Sequence, residues 1–256
     1  MNNISEYKKI RRTGILPGCL AGGILAALVP VLELAVRWER YADISRPPLQ
    51  IILEADWQMM AMLNMLLVTT IACMMYHTEY ADNAIRRIIT LPVREEEVFF
   101  KKTLLLSVMC MAVLIIEALS LTFCTLRWFG GENGAYVKFY ADSFKAPYME
   151  FVKDLFQNFG YFFCMLLPAA AVSLLFASAC RNMWICLGID VVCIFMATMI
   201  PMKNFVLSIF PFALPFRILE GGKAVASLSS LAAAAAEILL VFAAEIIFLK
   251  VRRSLA

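Results

Sequence analysis

Charge is scarce in this chain: 17% of its 256 residues are charged, against 62% hydrophobic, and mean hydropathy is +0.78. That leaves too little polar surface for a water-soluble globule. Histidine is almost missing. His77 is the only one, which argues against any catalytic site assembled from several imidazoles. No G-x-x-x-x-G-K-[ST] run occurs; Gly221-Gly222-Lys223 continues into Ala224 without the upstream glycine spacing. The chain therefore cannot hold ATP through a P-loop, and an energised function needs another polypeptide. The eight cysteines (Cys19, Cys73, Cys110, Cys124, Cys164, Cys180, Cys186 and Cys193) contain no C-x-x-C pair. All lie in or at the edges of apolar runs and read as small packing residues, so no metal is expected.

What the chain has is long apolar stretches. Crossing about 30 Å of hydrocarbon takes roughly 20 apolar residues as a helix, whereas a strand needs about 9–11 and alternates. Spans are expected at 15–36, 55–76, 103–126, 155–180, 183–201 and 229–249. The expected class is an all-α polytopic membrane protein in a single transmembrane domain over 1–256. The run from Ile15 to Val36 exceeds the roughly 7–15 residues of a signal-peptide core, so it is taken as the first span. The basic segment before it, with Ile4 and Tyr7, suits a short interfacial helix.

Six spans put both termini on one side. With those termini cytosolic, 13 of the 23 basic residues fall in the inside segments, including Lys8, Lys9, Arg11, Arg12, Arg86, Arg87, Lys101 and Lys102. Those segments are also the shorter share of the connecting chain, so the positive-inside rule favours cytosolic termini. The net charge of +3 is mostly this bias and carries no implication of nucleic-acid binding.

Within the spans, Gly18, Gly22 and Ala26 form one small-residue stripe and Ala169, Ser173 and Ala177 another. Such stripes let helices approach closely, inside one subunit or across a dimer seam. Pro168 is expected to kink span 4. Glu33, Glu117, Asp190, Glu237 and Glu245 are carboxylates in or at the ends of spans. Each costs about 2.5–3.5 kcal/mol near a helix centre, so each should face protein, water or a partner. Glu117, Asp190 and Glu237 are the candidates for a translocation path or for helix pairing.

Outside the spans, Tyr136, Tyr140, Phe144 and Tyr148 recur every fourth residue after a glycine-rich turn. They suggest an amphipathic helix on the outer leaflet, interrupted near Pro147. Between spans 5 and 6, Pro201, Pro211 and Pro215 break an apolar segment holding Phe205, Phe210, Phe212 and Phe216. A re-entrant or interfacial pair of short helices is expected there.

The loop at 77–102 carries the most specific pattern. Asp82 or Asn83 can cap a helix in which Ile85, Ile88 and Ile89 share one face and Arg86 and Arg87 another. Pro92 stops it near Leu91. An amphipathic helix over about 80–91, pinned between two spans, can dock on a soluble partner and pass its movement to both. The Glu79-Tyr80 pair, the run Ala84-Ile85-Arg86-Arg87-Ile88-Ile89-Thr90-Leu91-Pro92-Val93 and a lysine opening span 3 together resemble the coupling region of ABC type-2 exporter permeases. The likeness extends to chain length, interfacial first helix and six spans. It departs in having Asn83-Ala84 where a Gly-Thr pair often precedes the arginine.

The resemblance implies a non-catalytic membrane subunit with no cofactor of its own. Two permease subunits, alike or different, would pair with two ATP-binding subunits that carry ATP and Mg. Glu79, Tyr80, Ile85, Arg86, Ile88 and Ile89 would then form the ATPase-contacting surface. It also implies a bacterial plasma-membrane location and export of a hydrophobic or amphipathic cargo, such as a toxin or antimicrobial peptide or a drug. Two other readings compete. An ion-gradient-driven secondary transporter would use the buried carboxylates, although no inverted repeat is visible. An intramembrane protease is suggested by Glu96-Glu97 followed by Lys101, but His77 stands alone.

Overall fold

The computed structural model describes residues 14–42, 48–81, 95–129, 145–199, 209–220, 223–224 and 228–254. Within them six α-helices run in chain order: α1 (Ile15–Ala42), α2 (Pro48–Ala81), α3 (Glu95–Phe129), α4 (Lys145–Ala179), α5 (Met183–Met199) and α6 (Leu228–Ser254). Local sequence explains several helix starts. Gly14 adopts φ 74° and its carbonyl accepts the Gly18 N–H at 3.1 Å, beginning α1. Pro48 opens α2, where the missing N–H costs nothing. Asn182 Oδ1 accepts the Trp184 N–H at 3.0 Å and caps α5.

Apart from α5, the helices are longer than the apolar stretches they contain, because their ends continue into the polar flanks. Five carry a window long and apolar enough to cross a membrane: Ile15–Glu33, Met59–Ala81, Glu97–Arg127, Val152–Ala179 and Leu228–Arg252. The sixth expected crossing rests on α5, whose 17 residues reach about 25 Å at 1.5 Å each. This is a multi-pass membrane protein. Its outer surface agrees, since Leu25, Leu32, Phe123, Val192, Met196, Leu239 and Ile247 are all exposed. Such a surface is stable against lipid and not against water.

α4 is the centre of the bundle and packs on α2, α3, α5 and α6, while α1 packs on α2 and α3. Ala169, Ser173 and Ala177 are all buried, so the α4 small-residue stripe serves contacts inside the chain. The α1 stripe is shifted from its expected position. A Cβ at Gly18 would meet nothing within 4 Å. At Gly22 it would lie 2.5 Å from Leu67 Cδ1 on α2, and at Gly23 2.9 Å from Val113 Cγ1 on α3. The adjacent pair Gly22-Gly23 thus seats α1 between two neighbours. Ser120 adds a hydrogen bond to the Ala27 carbonyl at 3.3 Å.

Two local expectations change. Pro147 does not interrupt a helix: it lies in the first turn of α4, where its ring is tolerated, and Tyr148 belongs to that helix. Between α5 and α6 the described residues form a 3-10 turn at Leu214–Ile218, not a pair of α-helices. A two-stranded ribbon follows, pairing Leu219 with Ala224 and Glu220 with Lys223. Pro211 and Pro215 forbid a continuous helix, yet Phe212, Leu214 and Phe216 are buried against the bundle. The N-terminal interfacial helix, the 80–91 helix beyond Ala81 and the stripe at Tyr136, Tyr140 and Phe144 lie outside the described residues.

Candidate functional site

α2 and α3 lie antiparallel, and the loop that joins them leaves at Ala81 and returns at Glu95. Two turns or less from those ends, Lys102 Nζ meets Glu79 Oε2 at 2.6 Å. Both residues are buried, Lys102 at 1% and Glu79 at 6% exposure. A buried lysine is costly unless its ammonium is paired and its remaining donors are used. Here Nζ also donates to the Met75 carbonyl at 3.2 Å and sits 3.5 Å above the Tyr76 ring centroid. Carboxylate, carbonyl and aromatic face together enclose the charge. One turn earlier on α3, buried Phe99 meets Phe242 of α6 edge-on at 5.3 Å.

The same end of the bundle is tied to α4 and α6. Tyr80 donates its hydroxyl hydrogen to the Ser178 carbonyl on α4. Ser178 Oγ in turn bonds Glu245 Oε2 of α6 at 2.9 Å, and both residues are buried. Arg252 and Arg181 lie within electrostatic reach of the Tyr80 hydroxyl. Two consecutive residues before the loop, Glu79 and Tyr80, therefore fasten α2 to α3 and to α4.

Deeper in the bundle, Asn64 Nδ2 donates to Glu117 Oε2 at 2.8 Å and to the Met60 carbonyl at 3.0 Å. Met60, Ala61, Phe159 and Phe162 line the small gap around this pair. Glu117 Oε1 has no hydrogen-bond partner among the described residues, and neither carboxylate oxygen of Glu237 has one. Asp190 is fully buried on α5, with Cys73 Sγ of α2 at 3.7 Å and Ser173 of α4 beside it. The three candidate carboxylates do not converge on one another in their recorded contacts. Each faces a different seam: Glu117 α2–α3–α4, Asp190 α2–α4–α5, and Glu237 the buried side of α6.

Against the known proteins, the sequence matches the ABC-2 family transporter protein over residues 4–197, well over half of the chain. The chain belongs to the ABC-2 transporter family. No curated protein and no solved structure matches it. Membership makes this ABC-2 chain consistent with the permease of an ABC transporter, a type of subunit that is typically non-catalytic and works with a partner ATPase.

Of the residues expected to contact that partner, Glu79 and Tyr80 are described; Ile85, Arg86, Ile88 and Ile89 lie outside the described residues. The Glu79 carboxylate is turned inward onto Lys102 and is buried. The pair joins α2 to α3 beside the ends of the loop in this ABC-2 chain. Sequence reasoning missed Lys102, Tyr76, Asn64 and Ser178 as partners. Lys102 was legible only as one of two lysines opening α3. A helical projection of α3 would have separated it from Lys101, which is half-buried and pairs with Glu97 four residues earlier at 3.5 Å.

Proposed function

We propose that this chain is the membrane-spanning permease subunit of an ATP-driven exporter. It couples hydrolysis on separate ATP-binding subunits to movement of a hydrophobic or amphipathic cargo. One observation carries the reading: the buried Glu79–Lys102 pair closes the neck of the charged 82–94 loop. A loop whose ends hung on flexible chain would absorb a push. A loop whose ends are clamped passes the push to α2 and α3 together, and through Tyr80 and Ser178 to α4. The amphipathic segment carrying Ile85, Arg86, Ile88 and Ile89 is the docking face for the ATPase.

In this reading two ATP-binding subunits hold ATP and Mg, and a second permease completes the pore. Both termini face the cytosol of a bacterial cell. The cargo class is an amphipathic, cationic peptide or a drug, because buried carboxylates within a lipid-facing bundle favour a cation drawn from the membrane. The test replaces Ile88 with aspartate. Ile88→Asp is expected to abolish co-purification with the ATPase or to leave ATP hydrolysis running without export. Unchanged coupled export would overturn the proposal.

A second reading, transport driven by an ion gradient, draws on Glu237, whose carboxylate has no hydrogen-bond partner among the described residues of a spanning helix. It predicts flux by the purified chain in vesicles with a proton gradient and no ATPase. Flux of that kind, lost in Glu237→Gln, would displace the exporter reading.

A further inference from the structure

Three potential ligand side chains meet between α2 and α5, and only Asp190 among them enters the transport reading. Cys73 Sγ of α2 lies 3.0 Å from Cys186 Sγ of α5 and 3.7 Å from Asp190 Oδ2, one turn along α5. All three residues are buried, and their donor atoms fall within 4.8 Å of one another. The two sulfurs are closer than the roughly 3.5–4.0 Å at which unbonded carbon atoms pack. Two further polar atoms lie at this place without a hydrogen bond of ordinary length among the described residues. They are Asp190 Oδ1 and Ser173 Oγ, and both residues are 0% exposed. Ser173 stands beside the Asp190 carboxylate, so two thiols, a carboxylate and a hydroxyl form one buried polar cluster, and groups of this kind are nearly always satisfied by a partner of matching chemistry.

We propose that Cys73, Cys186 and Asp190 form a binding site for a borderline-soft divalent cation of the zinc type, joining α2 to α5. Two thiolates and one carboxylate are a donor set such an ion takes. With tetrahedral bonds of about 2.3 Å to sulfur and 2.0–2.2 Å to oxygen, the sulfurs would stand about 3.8 Å apart and each sulfur about 3.6 Å from the oxygen. The Cys73–Asp190 separation already matches. The sulfurs need to part by about 0.8 Å, the direction in which two thiolates would move. Binding displaces the two thiol protons, and the Ser173 hydroxyl donates its hydrogen to the remaining Asp190 oxygen. Cys186 sits one turn inside the start of α5, next to exposed Arg181 and Asn182, so the ion has a short path from that end of the bundle. The ion would tie the helix that feeds the 82–94 loop to α5.

The test uses the full chain, purified in detergent under reducing conditions and freed of metal with a chelator, then titrated with Co²⁺ and with Zn²⁺. The expected result is close to one ion per chain, with a thiolate-to-cobalt charge-transfer band that Zn²⁺ abolishes. The band should vanish in Cys73→Ser and in Cys186→Ser and remain in Cys124→Ser, whose thiol lies elsewhere. Asp190→Asn should weaken binding by about tenfold or more, and Asp190→Cys should restore it, which a merely structural aspartate would not do. Each variant is admitted only if its gel-filtration profile matches the wild type. Should Asp190→Asn fail that criterion, Asp190→Cys and the two serine variants decide. Wild type that binds no ion, a band that survives both serine substitutions, or a Cys73–Cys186 disulfide formed in place of metal uptake would each overturn the proposal.

Discussion

Replacing Lys102 with methionine removes the ammonium but preserves much of the packing along the side chain. What remains is the Glu79 carboxylate, 6% exposed and stripped of a partner 2.6 Å away. Breaking one half of a buried ion pair costs about 3–5 kcal/mol, because the surviving charge loses its compensation without regaining water. Glu79→Gln should be milder than Lys102→Met, since the lysine keeps the Met75 carbonyl and the Tyr76 ring and a neutral amide can still accept a hydrogen bond. The double variant Glu79→Gln/Lys102→Met buries no charge at this position. It should be more stable than Lys102→Met alone, with a coupling energy of about 1–3 kcal/mol. Thermal unfolding of the purified protein in one detergent, followed by fluorescence-detected gel filtration, gives the ranking across the cycle. Strictly additive effects would refute the claim that these two charges stabilise each other.

Other consequences can be read with the same assay. Tyr76→Leu should cost about 1–2 kcal/mol, the value of a desolvated cation over an aromatic face, and the loss should disappear in a Lys102→Met background. Tyr80→Phe removes the bond to the Ser178 carbonyl and should cost about 0.5–1.5 kcal/mol, while lowering export more than assembly with the ATPase. Gly23→Ala should destabilise by about 1–3 kcal/mol and Gly22→Ala by less. The first meets the stiff, branched Val113 and the second the movable tip of Leu67. Asn64→Leu should cost about 1–3 kcal/mol by leaving both Glu117 oxygens unsatisfied, and Asn64→Leu/Glu117→Leu should recover most of it.

Much of the architecture was legible because lipid imposes long apolar runs that composition alone exposes, as in α3 and α4. α2 begins at Pro48 and α4 at Lys145, well before the spans expected from 55 and 155. Apolar length says where a span can be, not how far a helix continues past it. In the segment before α6, prolines and phenylalanines signal broken, buried chain without specifying the 3-10 turn and ribbon that its described residues form. The carboxylates Glu117, Asp190 and Glu237 stood out by their cost in lipid. Their partners did not, because Asn64, Cys73 and Ser173 belong to residue types common in any span. The two thiols were invisible as a pair for a simpler reason. They lie 113 positions apart, and motif spacing detects only ligands that are close along the chain.

Ile88 offers the most direct trial of the central claim. A photo-crosslinking amino acid placed there, in the otherwise intact chain within its native membrane, reports what touches the loop. The account predicts a covalent product whose second component is identified by mass spectrometry as a P-loop ATPase, with no such product from the lipid-exposed position of Leu239. Crosslinks from residue 88 to lipid alone, in cells where export proceeds normally, would contradict it.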